Sequence, residues 1–127
     1  MLNYSEAFIK TSPYCLYITG ASPMHGHAYW EIAIFLKGMS YNHLPKKEKI
    51  PCPPGTCMIF RPEKDLHAIT HEKGISQAHL DIYISIEQMQ EYCKLFKSGG
   101  DISFYDLLLQ GDKSICFTFL TSWRIVR

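Results

Sequence analysis

At 127 residues the chain is the length of one domain, enough for a real core but not for two. Its 46% hydrophobic and 20% charged residues describe an ordinary soluble globular protein, neither disordered nor membranous. A formal net charge of +1 lacks the basic excess that a phosphate backbone attracts, which argues against nucleic acid as a direct partner of this segment.

The N-terminal "MLNYSEAFIK" carries Glu6 early and has no continuous apolar run, so it reads as neither signal peptide nor anchor. The apolar stretches elsewhere are far shorter than a membrane span. Cysteines at 15, 52, 57, 93 and 116 make an odd count without a C-x-x-C pair, which speaks against a disulfide framework. Reduced thiols and a cytoplasmic location are expected.

Short strands cut by Gly and Pro fill the first two thirds. "YCLYIT" (14–19) is strand-like and stops at "GASP". "HAYWEIAIFL" (27–36) reads as one long strand with bulky residues on both faces, as in a sheet covered on both sides. "MSYNHL" (39–44) comes so soon after it that a tight hairpin is expected around Lys37–Gly38. "PKKEKIPCPPG" is a charged, proline-rich connection ending in a strong Pro54–Gly55 turn signal. "TCMIF" (56–60), "LHAITHE" (66–72) and "SQAHLDIYI" (76–84) complete the series. In the last, Ala78, Leu80, Ile82 and Ile84 share one face, while Gln77, His79, Asp81 and Tyr83 share the other. The apolar row is expected to face the core, leaving His79 and Asp81 outside. Regular short strands with turn signals indicate an antiparallel sandwich or barrel.

At Ser85 the pattern changes. Ser85 and Gln88 form a capping box, and Ile86, Met89, Cys93 and Phe96 keep helical spacing up to Gly99–Gly100. A second box, Ser103 with Asp106, opens a short helix in "FYDLLLQ". The apolar tail "SICFTFLTSWRIVR" fits strand or helix equally.

One stretch carries chemistry. In "HGHAYWEIAIFLKG", His25, His27 and Glu31 share strand parity and can converge once the sheet curves. Two imidazoles and a carboxylate suit a divalent transition metal, and His67, some 40 residues on, offers a fourth ligand. The same residues could equally serve as polar groups of a pocket that holds no metal. Tyr29 shares the parity of His27 and Glu31 and could stack on a ligand ring or simply pack in the core. His71 shares the parity of His67 and could approach the pocket or lie on the solvent side beside Glu72 and Lys73. His43, beside a basic loop, is expected to be exposed. No Ser or Cys nucleophile stands at suggestive spacing from a His.

This arrangement resembles the cupin superfamily, whose first motif is H-x-H, three or four residues, Glu, six residues, Gly. His25, His27, Glu31 and Gly38 match each of those positions. Gly55, Pro62 and His67 correspond to the second motif at looser spacing. Gly20 stands one place nearer the first His than usual, and His71 stands where the motif normally closes with Asn. The resemblance implies a mainly β, double-stranded β-helix (jelly-roll) barrel over about residues 8–85, with a C-terminal helical segment over about 86–127. It also implies that His25, His27, Glu31 and His67 hold one divalent metal such as Zn, Mn, Fe, Co or Ni.

Within the superfamily, about residues 14–97 are similar to the N-terminal domain of AraC-type transcriptional regulators. That likeness implies a small effector, of the sugar type, bound in the barrel beside Tyr29 and His71. The helical segment would dimerise, and DNA would be contacted only through a further helix-turn-helix domain. The competing readings are a stand-alone metal-dependent cupin enzyme, an oxygenase or isomerase, and a non-catalytic metal-loaded binding module.

Overall fold

A computed structural model describes residues 13–46, 48–96, 102–111 and 114–118. The N-terminal segment expected to be neither leader nor anchor therefore lies outside the described residues, as does the tail beyond 118. Within them are strands β1 (Tyr14–Ile18), β2 (Ser22–His25), β3 (Trp30–Lys37), β4 (Ser40–His43), β5 (Lys49–Cys52), β6 (Thr56–Phe60), β7 (His67–His71) and β8 (Ala78–Ile84). Helices α1 (Ile86–Cys93) and α2 (Phe104–Leu109) and a last strand, β9 (Ile115–Thr118), come after them. No helix among the described residues is long and apolar enough to cross a membrane.

Two antiparallel sheets form the barrel walls. One has five strands in the order β1-β8-β3-β6-β9, the other four in the order β2-β7-β4-β5. Consecutive strands β2, β3 and β4 thus alternate between the sheets. The tight hairpin expected at Lys37–Gly38 is not formed, because β3 pairs with β6 and β8 while β4 pairs with β5 and β7. Gly38 instead carries the chain across, at φ +70°, so close to the next wall that a Cβ would lie 2.3 Å from the Ser76 carbonyl oxygen. Only glycine combines that left-handed backbone with that approach. The hairpin falls later, between β4 and β5, inside what the sequence presents as a charged connection. Pro51 is tolerated there because β5 is the edge of its sheet.

The barrel interior is filled by Ala33, Phe35, Cys52, Met58, Phe60 and Ile69. A second core lies outside the five-stranded sheet, where Trp30 and Ile84 meet Met89 and Cys93 of α1, joined by Ile32, Ile59, Ile82 and residues of α2. This double cover explains why β3 is bulky on both faces. It also reverses the expected orientation of β8. Gln77, His79, Asp81 and Tyr83 are buried toward the interior, whereas Ile82 and Ile84 pack on the helix side and Leu80, on that same face, is half-buried. The apolar row faces a core, but the outer one.

Both helices start where their capping boxes place them. The Ser85 hydroxyl accepts from the Gln88 N–H at 3.1 Å, and Ser103 accepts from that of Asp106 at 3.1 Å. Met89 and Cys93 are the buried positions of α1, while Ile86 and Phe96 stay exposed. Of the tail, the described residues Ile115–Thr118 form strand, since β9 pairs with β6 at the edge of the five-stranded sheet.

Candidate metal centre

The segment 25–31 does not run as one strand. β2 ends at His25 in the four-stranded sheet, and β3 begins at Trp30 in the five-stranded one. His27 and Tyr29 lie on the corner between them, where the His27 carbonyl accepts from the Glu63 N–H at 2.6 Å. Convergence therefore comes from this corner and not from parity along a single strand. A bulge in β2 completes it by setting His25 directly opposite His67 of β7. Glu31, one residue into β3, reaches inward from the facing sheet, buried between Tyr83 on β8 and Phe60 on β6.

One ligand atom from each of His25, His27, Glu31 and His67 lies within 4.8 Å of the others. Glu31 Oε1 is 2.6 Å from His27 Nε2 and 3.3 Å from His67 Nε2. Glu31 is 2% and His67 1% exposed. These approaches are short but not aligned as hydrogen bonds, which leaves His27 Nε2, His67 Nε2 and Glu31 Oε1 buried without a hydrogen-bond partner among the described residues. Orphaned polar atoms at such depth are costly unless something else satisfies them.

The opposite sides of two rings are fixed. His67 Nδ1 lies 3.0 Å from the Asp65 carbonyl oxygen, and His25 Nδ1 lies 2.6 Å from that of Pro23. A carbonyl can only accept, so each Nδ1 carries the proton and each neutral ring keeps its Nε2 lone pair free. Ring orientation by such an outer bond is what a metal-binding imidazole needs. Three imidazoles, two of them anchored at Nδ1, and one carboxylate, with His27 Nε2, His67 Nε2 and Glu31 Oε1 unsatisfied, fit a divalent transition ion.

Electrostatics agree with the geometry. Burial pushes the Glu31 carboxyl up, but the approach of His27 and His67 outweighs it and holds the group down at about 2. Burial lowers His67, yet Glu31 beside it brings the net shift above the ordinary value. His25 is pushed down, chiefly by burial, despite its bond to Pro23. The site thus offers a permanent negative charge to a cation, with protons as the competitors at His67.

Aromatic rings frame the cluster. Phe60 stacks on His67, and Tyr29 stacks on Tyr83 with centroids 5.0 Å apart while meeting His27 edge-on at 4.6 Å. His71 sits at the other end of β7, opposite Ser40, with Nδ1 3.3 Å from the Glu72 carbonyl oxygen. His43 is half-buried, its Nε2 2.6 Å from Thr70 Oγ1.

Several residues near the site carry no clear signal in the sequence. Asp81 lies inside the barrel, where Tyr83 donates to it at 3.3 Å and His79 Nε2 approaches at 3.5 Å. Burial foremost raises its carboxyl above the usual range, against the opposing influence of His79. Arg61 and Asp65, within what looks like a simple strand break, form a buried ion pair under the His67 loop. A charged pair four apart within a "RPEKD" turn is the one available signal.

No family model matches the chain, and no curated protein matches it. Solved structures do. A cupin-like protein from Thermotoga maritima aligns at 14% identity over 78% of this chain and 83% of its own, with a TM-score of 0.53. A cupin protein from Bacteroides fragilis aligns at 15% identity over 69% of this chain and 70% of its own, TM-score 0.49. The iron(II) form of HppE aligns at 18% identity over 57% of this chain, TM-score 0.47, and the match spans 41% of that protein's length. The chain has the cupin fold: a small antiparallel β-barrel with a short helical segment after it, and inside it a His/Glu cluster that could hold a metal.

Proposed function

We propose that this barrel is a metal-dependent small-molecule-binding domain. His25, His27, Glu31 and His67 hold one divalent transition ion, and the observation that carries the reading is the convergence of their ligand atoms, with those of His27, Glu31 and His67 buried without a hydrogen-bond partner among the described residues. Such a ligand set accepts Zn, Mn, Fe, Co or Ni, and the cell's supply selects among them. When bound, the ion supplies Lewis acidity toward an oxygen-bearing ligand. The chain's own contribution is a pocket bounded by Tyr29 and, further along β7, by His71. An oxygen-rich small molecule of the sugar type suits aromatic faces combined with few polar groups.

The use of that binding is regulatory in this reading. The likeness of about residues 14–97 to AraC-type regulators supports an effector-sensing domain whose helical segment, about 86–127, dimerises. DNA contact belongs to a helix-turn-helix unit elsewhere in the same protein. A stand-alone oxygenase or isomerase is the second reading, favoured by one observation: Asp81 and Tyr83 place a buried carboxyl and a phenol inside the barrel close to Glu31.

Metal content decides the first point. Protein purified without added metal is compared with His25→Ala and His67→Ala, and loss of the ion in both variants is expected. Equal content in all three removes the ligand assignment. For the regulatory use, the reading frame should run past Arg127 into two helix-turn-helix units; a frame ending there leaves the enzyme reading in front.

A further inference from the structure

Arg61 is one of the most deeply buried side chains described, 1% exposed, although it carries a full charge. Its Nε lies 2.6 Å from Asp65 Oδ2 and its Nη2 2.8 Å from Asp65 Oδ1, a two-pronged pair. The Arg61 N–H also donates to Asp65 Oδ2 at 2.8 Å. The remaining arm leaves the loop altogether. Arg61 Nη1 points at the main-chain oxygens of Leu109, Gln110 and Gly111, at 3.3, 2.9 and 3.1 Å. Leu109 is the last residue of α2, so its carbonyl is one that the helix leaves unsatisfied, and Gln110 and Gly111 continue the chain just past it. Lys64 adds a bond to the Leu109 oxygen at 2.7 Å.

Asp65 faces the other way as well, since its carbonyl oxygen receives the His67 Nδ1 proton. A continuous chain of polar contacts thus runs from the outer edge of His67, at Nδ1, through Asp65 and Arg61, to the C-terminal end of α2. Pairing a buried charge is obligatory, because an unpaired guanidinium at this depth is strongly disfavoured. Movement of Asp65 must therefore be matched by Arg61, and movement of Arg61 removes its bonds to the chain leaving α2, with Lys64 alone left on the Leu109 oxygen.

We propose that the Arg61–Asp65 pair is a latch coupling occupancy of the barrel site at His67 to the seating of α2. The proposal deepens the metal-binding reading and rests on it for its trigger. Arg61 and Asp65 are positioning residues: neither reaches the ligand atoms, and each acts through the His67 loop. An occupied site holds His67, His67 holds Asp65, and the fork then keeps the helix end capped. Two sites coupled in this way bias one another reciprocally.

Amide hydrogen exchange over residues 104–111 is the readout. Wild type, Arg61→Lys, His67→Gln and the double variant are compared, each metal-free and with saturating Mn(II), with metal uptake measured in parallel. Mn(II) should slow exchange in wild type by about tenfold. Arg61→Lys keeps the charge but not the fork; it should still take up Mn(II), with no slowing of 104–111. Without metal, His67→Gln should speed exchange in the wild-type background and leave it unchanged in the Arg61→Lys background. An equal Mn(II) response in wild type and Arg61→Lys overturns the latch, as does an equal effect of His67→Gln in both backgrounds. If wild type binds no Mn(II), the metal trigger fails, and the metal-free variants still decide the coupling. Should Arg61→Lys not fold, Asp65→Asn takes its place in the same comparison.

Discussion

Phe60 and His67 lie almost parallel, ring centroids 3.7 Å apart and planes 8° from one another. One imidazole face is thus held by a buried phenyl, while the Asp65 carbonyl holds the ring edge. Together they leave His67 one orientation, with Nε2 toward Glu31. Replacing Phe60 by Leu keeps an apolar core residue at a stability cost of about 1 kcal/mol. It frees the ring, so divalent-metal affinity should fall about tenfold, as for other groups that orient a ligand. Calorimetric titration with Zn(II) checks this; unchanged affinity would show that the Asp65 bond alone suffices.

The metal-free protein should be most stable in mildly acidic solution. Glu31 is depressed from 4.5 to about 2 in the fold, so its contribution is present above 4.5 and is lost as pH falls toward 2. His67 is raised above 6.5, so its contribution is complete below 6.5 and is lost as pH climbs through the raised value. Both act together between 4.5 and 6.5. Urea midpoints measured across and beyond that range should peak within it, and Glu31→Gln should flatten the profile at both ends. Metal affinity should run the other way, rising with pH as His67 gives up its proton.

Gly38→Ala tests the crossing between the walls. A Cβ there meets the Ser76 oxygen at 2.3 Å and Gln77 Cα at 3.0 Å, on a backbone at φ +70°. Left-handed strain and overpacking together should cost about 2–4 kcal/mol in urea unfolding. Metal content per folded molecule should be unaffected, because Gly38 lies past the end of β3 opposite to Glu31. A neutral substitution would mean that the 76–77 segment yields freely.

Thiol reactivity separates the five cysteines. Cys15 and Cys116 are exposed, while Cys52, Cys57 and Cys93 are buried. Burial pushes Cys52 up to about 12 and Cys57 to about 11, so neither is a thiolate at neutral pH. A disulfide reagent should therefore label two thiols in the native protein, Cys15 before Cys116, and all five after unfolding. Early labelling of a third thiol would indicate a barrel that opens readily.

Most strands, both helix starts and the four clustered residues are legible in the sequence because each rests on a local signal, whereas β2 and β5, short and proline-bearing, read as turn and connection. Ser85 and Ser103 announce their helices within three residues, and the histidines announce themselves by type and spacing. Sheet membership is not legible. Whether β3 pairs with β4 or crosses to the other wall depends on partners as far off in sequence as Met58 and Ile82, which pair with Ala33 and Ile32. The inward face of β8 escapes a sequence reading for a related reason. An apolar row marks a core, but this sheet has two, and helices that appear only after Ser85 claim the Ile82–Ile84 face. Asp81 is hidden from the sequence on that account, and Arg61 because a charged residue in a proline turn ordinarily meets water.

The alternation of β2 and β3 between walls has a mechanical consequence. His25 and His67 stand on one sheet and Glu31 on the other, so an ion held by all three spans the seam of the barrel. Separating the walls at that end would break coordination bonds before it broke any backbone ladder. With an ion bound there, opening of the barrel mouth would require its release. The interior could then be exposed at that end no more often than the metal leaves.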